Sequence, residues 1–313
     1  MDAPATIPVC FIGCDVGKAE IVVCDSRTGR ITRVDNTRTA LTDFAAALDP
    51  DALVICEATG GYEAALLDAL IHAGRAAHRA DARKVKAFIR SFGTLGKSDT
   101  IDARALADYG RERHHRLARW QPRDRHRDRL HRLVSARQDL VEQRVACKNR
   151  LKAPGSGDVA PRLRRILDAL DAEIAGLEDD MRALIATCEP LRRTVAVLSA
   201  ITGIGPATAA RLTALMPELG TLGRRQAAAL AGLAPHPRQS GSSDAYRHTR
   251  GGRPGVKHAL FMAALTAARR NPDLNAFYRR LIANGKKPIV ATVAVMRKLI
   301  VIANAKLRDA QIF

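Results

Sequence analysis

The alternation of short apolar runs in the first 110 residues is the feature that most constrains the fold. It predicts three antiparallel strands at 9–17, 20–24 and 31–34. The elements expected after them are a helix at 42–48 with Thr42 as its N-cap, a buried strand at 52–56, a helix at 62–73, a strand at 76–79 and a helix at 82–91. Three antiparallel strands followed by β-α-β-α are typical of a ribonuclease-H-like mixed sheet.

The pattern becomes helical over 125–188. A heptad repeat runs through Leu170, Ile174, Leu177, Met181, Leu184 and Cys188. The Pro- and Gly-containing segment 153–157 predicts a loop between two antiparallel helices, and Glu189-Pro190 is expected to end the second helix. The sequence leaves open whether this pair is a coiled-coil arm, a dimer interface or part of an ordinary bundle. We therefore expect an α/β plus α chain with domains at 1–120, 121–190 (helical arm) and 191–313 (mainly helical).

Positive charge is the dominant feature of the composition. The 313 residues include 51 Lys or Arg and 32 Asp or Glu, a formal net charge of +19. Residues 111–152 alone hold 14 Lys or Arg against five acids. Arginine suits phosphate binding, so this stretch, with Arg123, Arg125, Arg127 and Arg129, is predicted to bind a nucleic-acid backbone. A solvated, Arg-rich helix face is the alternative.

Other classes of protein are excluded by the rest of the composition. Hydrophobic residues make up 47% of the chain, too many for a disordered protein. No apolar run approaches the roughly 18 residues of a membrane span, and the N-terminus lacks the basic region of a secretion signal. Six cysteines without paired spacing indicate reduced thiols. We expect a cytoplasmic protein with no membrane association.

Four acids are candidates for metal ligation. Asp15 and Glu57 each lie at the end of a predicted strand, and Asp99 and Asp102 are spaced to share one face of a helix. Carboxylates that converge in this way suit Mg²⁺ ions in phosphodiester chemistry. The alternatives are a turn carboxylate for Asp15 and helix capping for Asp99 and Asp102.

A second candidate site is the loop around Ser240. Several basic residues flank it: Arg238, Arg247, Arg250, Arg253 and Lys257. Arginine side chains can bind non-bridging phosphate oxygens while a serine hydroxyl attacks phosphorus. The residues alone favour the alternative, a Ser- and Gly-rich loop that contacts phosphate and holds no nucleophile. Upstream, Gly203-Ile204-Gly205 predicts a helix-hairpin-helix turn, in which backbone N–H groups of Gly203 and Gly205 meet a phosphate; plain helix packing is the alternative.

Together these motifs resemble one family. The stretches that carry the resemblance are 13–18, 57–62, 97–104, 203–206, 231–235, 240–241, 250–253, 259–264 and 271–272. They keep the order and spacing found in the DEDD transposases of insertion-sequence family one-ten, which includes the Piv-type DNA invertases. The resemblance covers nearly the whole chain.

The resemblance implies a function and a set of site residues. It implies a RuvC-like first domain in which Asp15, Glu57, Asp99 and Asp102 hold Mg²⁺, and a C-terminal transposase domain in which Ser240 is the nucleophile. It further implies strand exchange between donor and target DNA through a phosphoserine intermediate, guided by a bridge RNA, in a homo-oligomer (dimer or tetramer) associated with the nucleoid when active.

The serine loop departs from the family pattern. Ala245 and Tyr246 stand where a Gly and a basic residue are usual, and Asp244 adds an acid. Ser242 and Ser243 are neighbouring candidates for the nucleophile. Two other functions stay open: a RuvC-like junction nuclease in which water attacks, and a non-catalytic nucleic-acid scaffold.

Overall fold

The computed structural model describes residues 10–93, 96, 98–122, 124–236, 239–240, 243–244 and 248–311. The chain divides into two compact units, Met1–Pro122 and Arg123–Phe313. Each unit has its own hydrophobic core.

The described part of the first unit contains a five-stranded mixed sheet. Its strands are β1 (Cys10–Val16), β2 (Glu20–Asp25), β3 (Ile31–Asp35), β4 (Ala52–Glu57) and β5 (Ala76–Ala80), in the spatial order β3-β2-β1-β4-β5. β1 pairs antiparallel with β2 and parallel with β4, and β4 pairs parallel with β5. This arrangement confirms the predicted strand order and is compatible with a ribonuclease-H-like fold.

Helices cover both faces of this sheet. On one face, α1 (Arg38–Ala47) and α2 (Ala64–His72) pack against the side chains of Cys10, Ile12 and Cys14. On the other face, α3 (Ala82–Ser91) and α4 (Asp99–Arg113) pack against the alternate strand residues, such as Phe11 and Ile55. Burial on both faces explains why β4 reads as a continuous apolar run.

The expected start of α1 is wrong. The helix begins at Arg38, and the Thr42 hydroxyl donates a hydrogen bond to the Arg38 carbonyl, 2.9 Å away, inside the helix. Leu41, in the first turn of the helix, is fully buried in the core beside the sheet. This packing stabilises a helical turn before Thr42.

The second unit begins with a pair of long helices. α5 (Arg125–Leu151) and α6 (Ala160–Thr187) are joined by residues 152–159, which include a short 3-10 helix. Ion pairs of Arg137 with Glu178 and of Arg144 with Asp171 establish that the helices run antiparallel, as predicted. Leu167, Ile174 and Met181 are buried on α6 at seven-residue intervals.

The base of this helical hairpin is part of a larger helical core. Leu130 and Val134 of α5 and Leu184 of α6 form one buried cluster with α7 (Glu189–Ser199) and α8 (Pro206–Leu215). α6 ends at Thr187, just before Glu189-Pro190, and these two residues begin α7.

The remaining helices complete the second core. They are α9 (Arg224–Leu230), α10 (Pro254–Arg270), α11 (Pro272–Ala283) and α12 (Pro288–Asp309). Among the described residues, α12 is the one helix long and apolar enough by composition to cross a membrane. Its residues Val295, Leu299 and Ala303 are buried in the core cluster, as in a core helix. The strands β6 (Gln239–Ser240) and β7 (Ser243–Asp244) lie between α9 and α10.

Candidate functional site

Two of the predicted acids lie side by side at one end of the sheet. Glu57 is the last residue of β4, and Asp15 is the last but one of β1. The parallel register aligns Cys14 with Cys56, so the next residues, Asp15 and Glu57, are neighbours on the opposite face of the sheet. Both are half-buried.

Glycines bring α4 unusually close to this face. A Cβ at Gly13 would overlap the carbonyl oxygen of Ala103 and the nitrogen of Ala107. Further along α4, a Cβ at Gly110 would meet the side chain of Ile55. A Cβ at Gly110 would also lie 3.3 Å from the Phe11 ring, whereas Gly13, two residues further along β1, faces Ala103 and Ala107. α4 therefore runs antiparallel to β1, and its first turn points towards the carboxyl ends of β1 and β4.

The other two acids occupy that first turn. Ser98 is the N-cap of α4, and its hydroxyl oxygen accepts a hydrogen bond from the Ile101 N–H at 3.3 Å. Asp99, which is exposed, and Asp102, which is half-buried, are therefore not the N-cap residue. We call Asp15, Glu57, Asp99 and Asp102 the carboxylate edge, because all four lie at the same end of the sheet.

A fifth carboxylate, which the sequence did not single out, organises the segment after Glu57. The Glu63 side chain is only 3% exposed and pairs with the Arg79 guanidinium at 2.7 Å. It also accepts hydrogen bonds from the N–H groups of Thr59 and Gly61, at 3.2 and 2.9 Å. Burial opposes ionisation of Glu63, but these backbone donors and Arg79 outweigh it and lower the pKa of the carboxyl. Its spacing in the sequence carries no motif.

The carboxylate edge matches a divalent cation in the chemistry of its donors. Carboxylate oxygens are the hard ligands that Mg²⁺ prefers. Within the described residues, however, no group of three His, Cys, Asp or Glu side chains is close enough to form a metal-binding cluster. The four acids share an edge without being gathered into one cluster.

Ser240 lies in a short β-hairpin. Ser240 pairs with Ser243 and Gln239 with Asp244 in the two-stranded sheet of β6 and β7. Nearer the core, Pro235 and Thr249 form an antiparallel bridge, and the His236 N–H donates to the His248 carbonyl at 3.1 Å. We call residues 235–249 the serine hairpin. The predicted site residues Arg238, Ser242 and Arg247 lie outside the described residues.

Two glycines join the ends of the serine hairpin to the helical core. Gly232 and Gly252 both have positive φ, at 70° and 71°. A Cβ at Gly252 would overlap the backbone nitrogen of Gly232, so side chains are excluded where the two segments cross. We call this crossing the hairpin foot. It gives a packing reason for Gly232 in the motif Ala231–Pro235 and for Gly252 in the motif Arg250–Arg253.

The basic residues near the serine hairpin have different surroundings. The Arg253 guanidinium is bound by Glu218, with N···O distances of 2.6 and 2.9 Å, and by the Leu215 carbonyl. It therefore fixes the start of α10 to the core. The Lys257 ammonium donates to the Thr249 hydroxyl at 3.3 Å, at the base of the hairpin, and Arg250 is exposed.

The Gly203-Ile204-Gly205 turn connects α7 to α8. A Cβ at Gly203, where φ is 106°, would lie 2.6 Å from the Ala267 side chain of α10, and Ile204 is buried. Gly203 is thus required by helix packing, whereas Gly205 is exposed at the N-terminus of α8.

The Arg-dense stretch 111–152 is divided between the two units. Its first part contacts β5, where the backbone N–H of Trp120 donates a hydrogen bond to the Ala77 carbonyl at 2.7 Å. The Trp120 side chain packs against the core of the first unit. In α5, Arg125 and Arg129 are exposed, and Arg127 donates to the Pro217 carbonyl at 3.2 Å. Arg123 lies outside the described residues.

Comparison with known proteins assigns the family. Residues 12–154 match the DEDD transposase model of IS110, described as a transposase, and residues 195–279 match the family described as "Transposase IS116/IS110/IS902 family". The two matches together span most of the chain.

The chain belongs to the IS110 family of transposases.

Individual relatives agree with this assignment. The "Pilin gene-inverting protein" of Moraxella lacunata is 28% identical over 267 residues, which is 83% of this chain and 81% of the relative. The protein of that name from Moraxella bovis matches equally. The "Insertion element IS110 uncharacterized 43.6 kDa protein" of Streptomyces coelicolor is 33% identical over 166 residues, 51% of this chain and 40% of the relative.

Membership of the IS110 family indicates an enzyme that acts on DNA. The first matched region contains the carboxylate edge, and the second contains the Gly203–Gly205 turn and the serine hairpin. The two candidate sites therefore lie in the two parts of the chain that define the family.

Proposed function

We propose that this IS110-family transposase exchanges DNA strands by using Ser240 as a nucleophile and the carboxylate edge as a metal-binding site. The observation that carries the proposal is the direction of α4. Because α4 runs antiparallel to β1, its first-turn acids, Asp99 and Asp102, lie at the strand ends that carry Asp15 and Glu57. The four carboxylates at this edge offer the hard oxygen ligands that Mg²⁺ prefers.

In this proposal Mg²⁺ is held by Asp15, Glu57, Asp99 and Asp102. When bound, it would supply a Lewis acid that stabilises negative charge on phosphate oxygens. Glu63 is not a metal ligand in this proposal. Its buried carboxylate is a positioning group, because it holds the Thr59–Gly61 backbone that follows Glu57.

The proposed chemistry is transesterification at phosphorus. The Ser240 oxygen bonds to phosphorus, and the bond from phosphorus to the 3′ oxygen breaks. The proton that leaves the serine hydroxyl balances the proton that the released 3′-hydroxyl gains. The resulting 5′-phosphoserine keeps a phosphodiester linkage, so the 3′-hydroxyl of the other duplex can reverse the step without an external energy source.

The other parts of the chain receive supporting roles in the proposal. We propose a RuvC-like domain at 1–120, a coiled-coil arm at 121–190 that contributes to a homo-oligomer, and a transposase domain at 191–313. The exposed cations Arg125 and Arg129 would bind a guide (bridge) RNA or the DNA backbone. Gly205, at the exposed start of α8, and Arg250 are further candidates for phosphate contact, and the reaction would take place at the nucleoid.

The test of this function is a covalent protein–DNA adduct. Purified protein, with any co-purifying RNA, is incubated with donor and target DNA and Mg²⁺ and run on a denaturing gel. We expect an adduct with the native chain, Ser242→Ala and Ser243→Ala, and none with Ser240→Ala. If Ser240→Ala still exchanges strands, the nucleophile is assigned wrongly.

The same assay separates the two alternatives. If the protein is a junction nuclease, the native chain forms no adduct and Ser240→Ala still cleaves DNA. If it is a scaffold, it binds DNA and never cuts it. Asp102→Asn and chelation are each expected to abolish cleavage, and cleavage that survives either of them contradicts the metal site. Sequencing of the RNA that co-purifies with the chain tests the guide, since a discrete species is expected rather than a random population.

A further inference from the structure

A groove along α12 is lined by cations that no motif in the sequence identifies. Its larger part is a cavity of about 890 Å³ between α9, α11 and α12. Arg224, Arg225, Arg297 and Lys298 contribute its positive charge, and Asp273 is the one acid among the described residues that line it. Its floor is apolar and includes Leu274, Val301 and Ile302. We call this cavity, with the one next to it, the α12 groove.

The groove continues to the serine hairpin. A second cavity of about 430 Å³ is lined by Pro235, His248, Thr249 and Lys257 at the base of the hairpin. The two cavities share Ala294 and Arg297 as lining residues. One concave surface therefore leads from the base of the hairpin that carries Ser240, past Arg297, to α11.

The cations of the groove differ from several arginines of the helical hairpin. Arg132, Arg137 and Arg144 each pair with a carboxylate. Within the described residues, none of the four groove cations forms an ion pair. Lys298 is instead positioned by an aromatic ring, with its ammonium 4.0 Å from the centroid of Phe277.

We propose that the α12 groove binds the single-stranded DNA segment that flanks the phosphate attacked by Ser240. Cations along a concave wall above an apolar floor match the phosphates and base faces of a single strand. The volume of the larger cavity falls within the range of about 300–1,000 Å³ that is typical of small-molecule ligand pockets. DNA is favoured over RNA because the groove opens onto the base of the proposed DNA-cleaving hairpin. The proposal rests on the proposed function of Ser240.

The test compares two lysines on the same helix. Lys298 lies in the groove, whereas Lys306 is exposed on α12 and lines neither cavity. Binding of the full chain to a fluorescent single-stranded DNA of about 12 nucleotides, a typical length for such sites, is measured over a salt series. For Lys298→Gln and for Arg297→Gln, the slope of log affinity against log salt should fall by about 0.7, the value for one phosphate contact on a single strand. Lys306→Gln should leave it unchanged.

A third variant tests the role of the ring. Phe277→Leu keeps an apolar side chain but removes the ring beneath Lys298, so we expect weaker binding with no change in formal charge. Circular dichroism of each variant, unchanged from that of the native chain, ensures that the comparison concerns folded protein. Equal effects at Lys298 and Lys306, or none at Lys298, overturn the proposal.

Two further outcomes distinguish this proposal from others. An RNA oligonucleotide of the same sequence should compete weakly; if it displaces DNA and its affinity alone depends on Lys298, the assignment to DNA is wrong. Covalent adduct formation is measured in parallel. An adduct that depends on Ser240, together with binding that is indifferent to Lys298 and Arg297, refutes the groove and leaves the nucleophile standing.

Discussion

The carboxylate edge and the serine hairpin are held in place in different ways. The acids sit on β1, β4 and α4, whose positions are fixed by a core on both faces of the sheet. The described contacts that join the serine hairpin to the core lie at its base, through the Gly232–Gly252 crossing and the Lys257–Thr249 hydrogen bond. The acids are thus positioned by packing on both faces of a sheet, and the serine by a few contacts at the base of its hairpin.

The largest effect is expected where this packing is closest. Gly13→Ala would drive a Cβ into the α4 backbone at Ala103, and backbone atoms cannot move aside cheaply. We expect a loss of about 3 kcal/mol or more in the free energy of unfolding, measured by urea denaturation. Adduct formation should fall as well, because α4 carries Asp99 and Asp102.

Gly29→Ala is the matched control for that variant. Gly29 has φ of 69°, and a Cβ there meets no atom within 4 Å. Only backbone strain of about 1 kcal/mol is expected. Equal destabilisation by the two substitutions would contradict the close approach of α4 to β1.

The corresponding change in the second unit is Gly252→Ala. It combines an overlap with Gly232 and a positive φ, so we expect a loss of about 2–3 kcal/mol and a lower yield of adduct. Gly285→Ala has nearly the same φ, 73°, with no atom within 4 Å, and should cost only about 1 kcal/mol. If Gly252→Ala keeps full stability and adduct yield, the hairpin foot does not position Ser240.

A smaller effect is expected at Glu63, and it depends on pH. Glu63→Gln keeps the shape but weakens the contacts with Arg79 and the Thr59–Gly61 backbone, which should cost about 1–3 kcal/mol at neutral pH. Because folding lowers the pKa of Glu63, the ionised group stabilises the fold above its unfolded pKa of about 4.3. That contribution is lost as the pH falls further.

The measurement for Glu63 is urea denaturation of both chains between neutral and acidic pH. The difference in stability should be largest at neutral pH and shrink below the unfolded pKa. Glu112→Gln, at an exposed position of α4, is the control and should show no such trend. A difference that stays constant with pH would exclude the ionised carboxylate as the cause.

The smallest effect on stability is expected at the exposed cations of α5. Arg125→Gln and Arg129→Gln should change the free energy of unfolding by less than about 0.5 kcal/mol. Each should reduce the salt dependence of duplex binding by about one phosphate contact. Arg144→Gln should change it less, because Arg144 already pairs with Asp171 at 2.8 Å. If all three variants change the salt dependence of binding equally, the predicted binding of a nucleic-acid backbone by residues 111–152 is contradicted.

Local patterns in the sequence determined much of the fold. The strands β1 to β5, the helices of the α5–α6 pair and the positions of the four acids follow from apolar periodicity and turn residues, which act over a few neighbouring residues. The start of α1 was wrong because the burial of Leu41, a contact with distant residues, decided it. The motifs also identified the family, since their order along the chain is a property of the sequence.

Only the tertiary structure decided how distant residues meet. The pairing of Glu63 with Arg79 and of Arg253 with Glu218, and the crossing of Gly232 and Gly252, join segments with no shared periodicity. The α12 groove likewise gathers cations from α9 and α12, which are about 70 residues apart in the chain. Sequence spacing reports which side chains share a helix face or a strand end, whereas contacts between elements depend on how whole faces pack together.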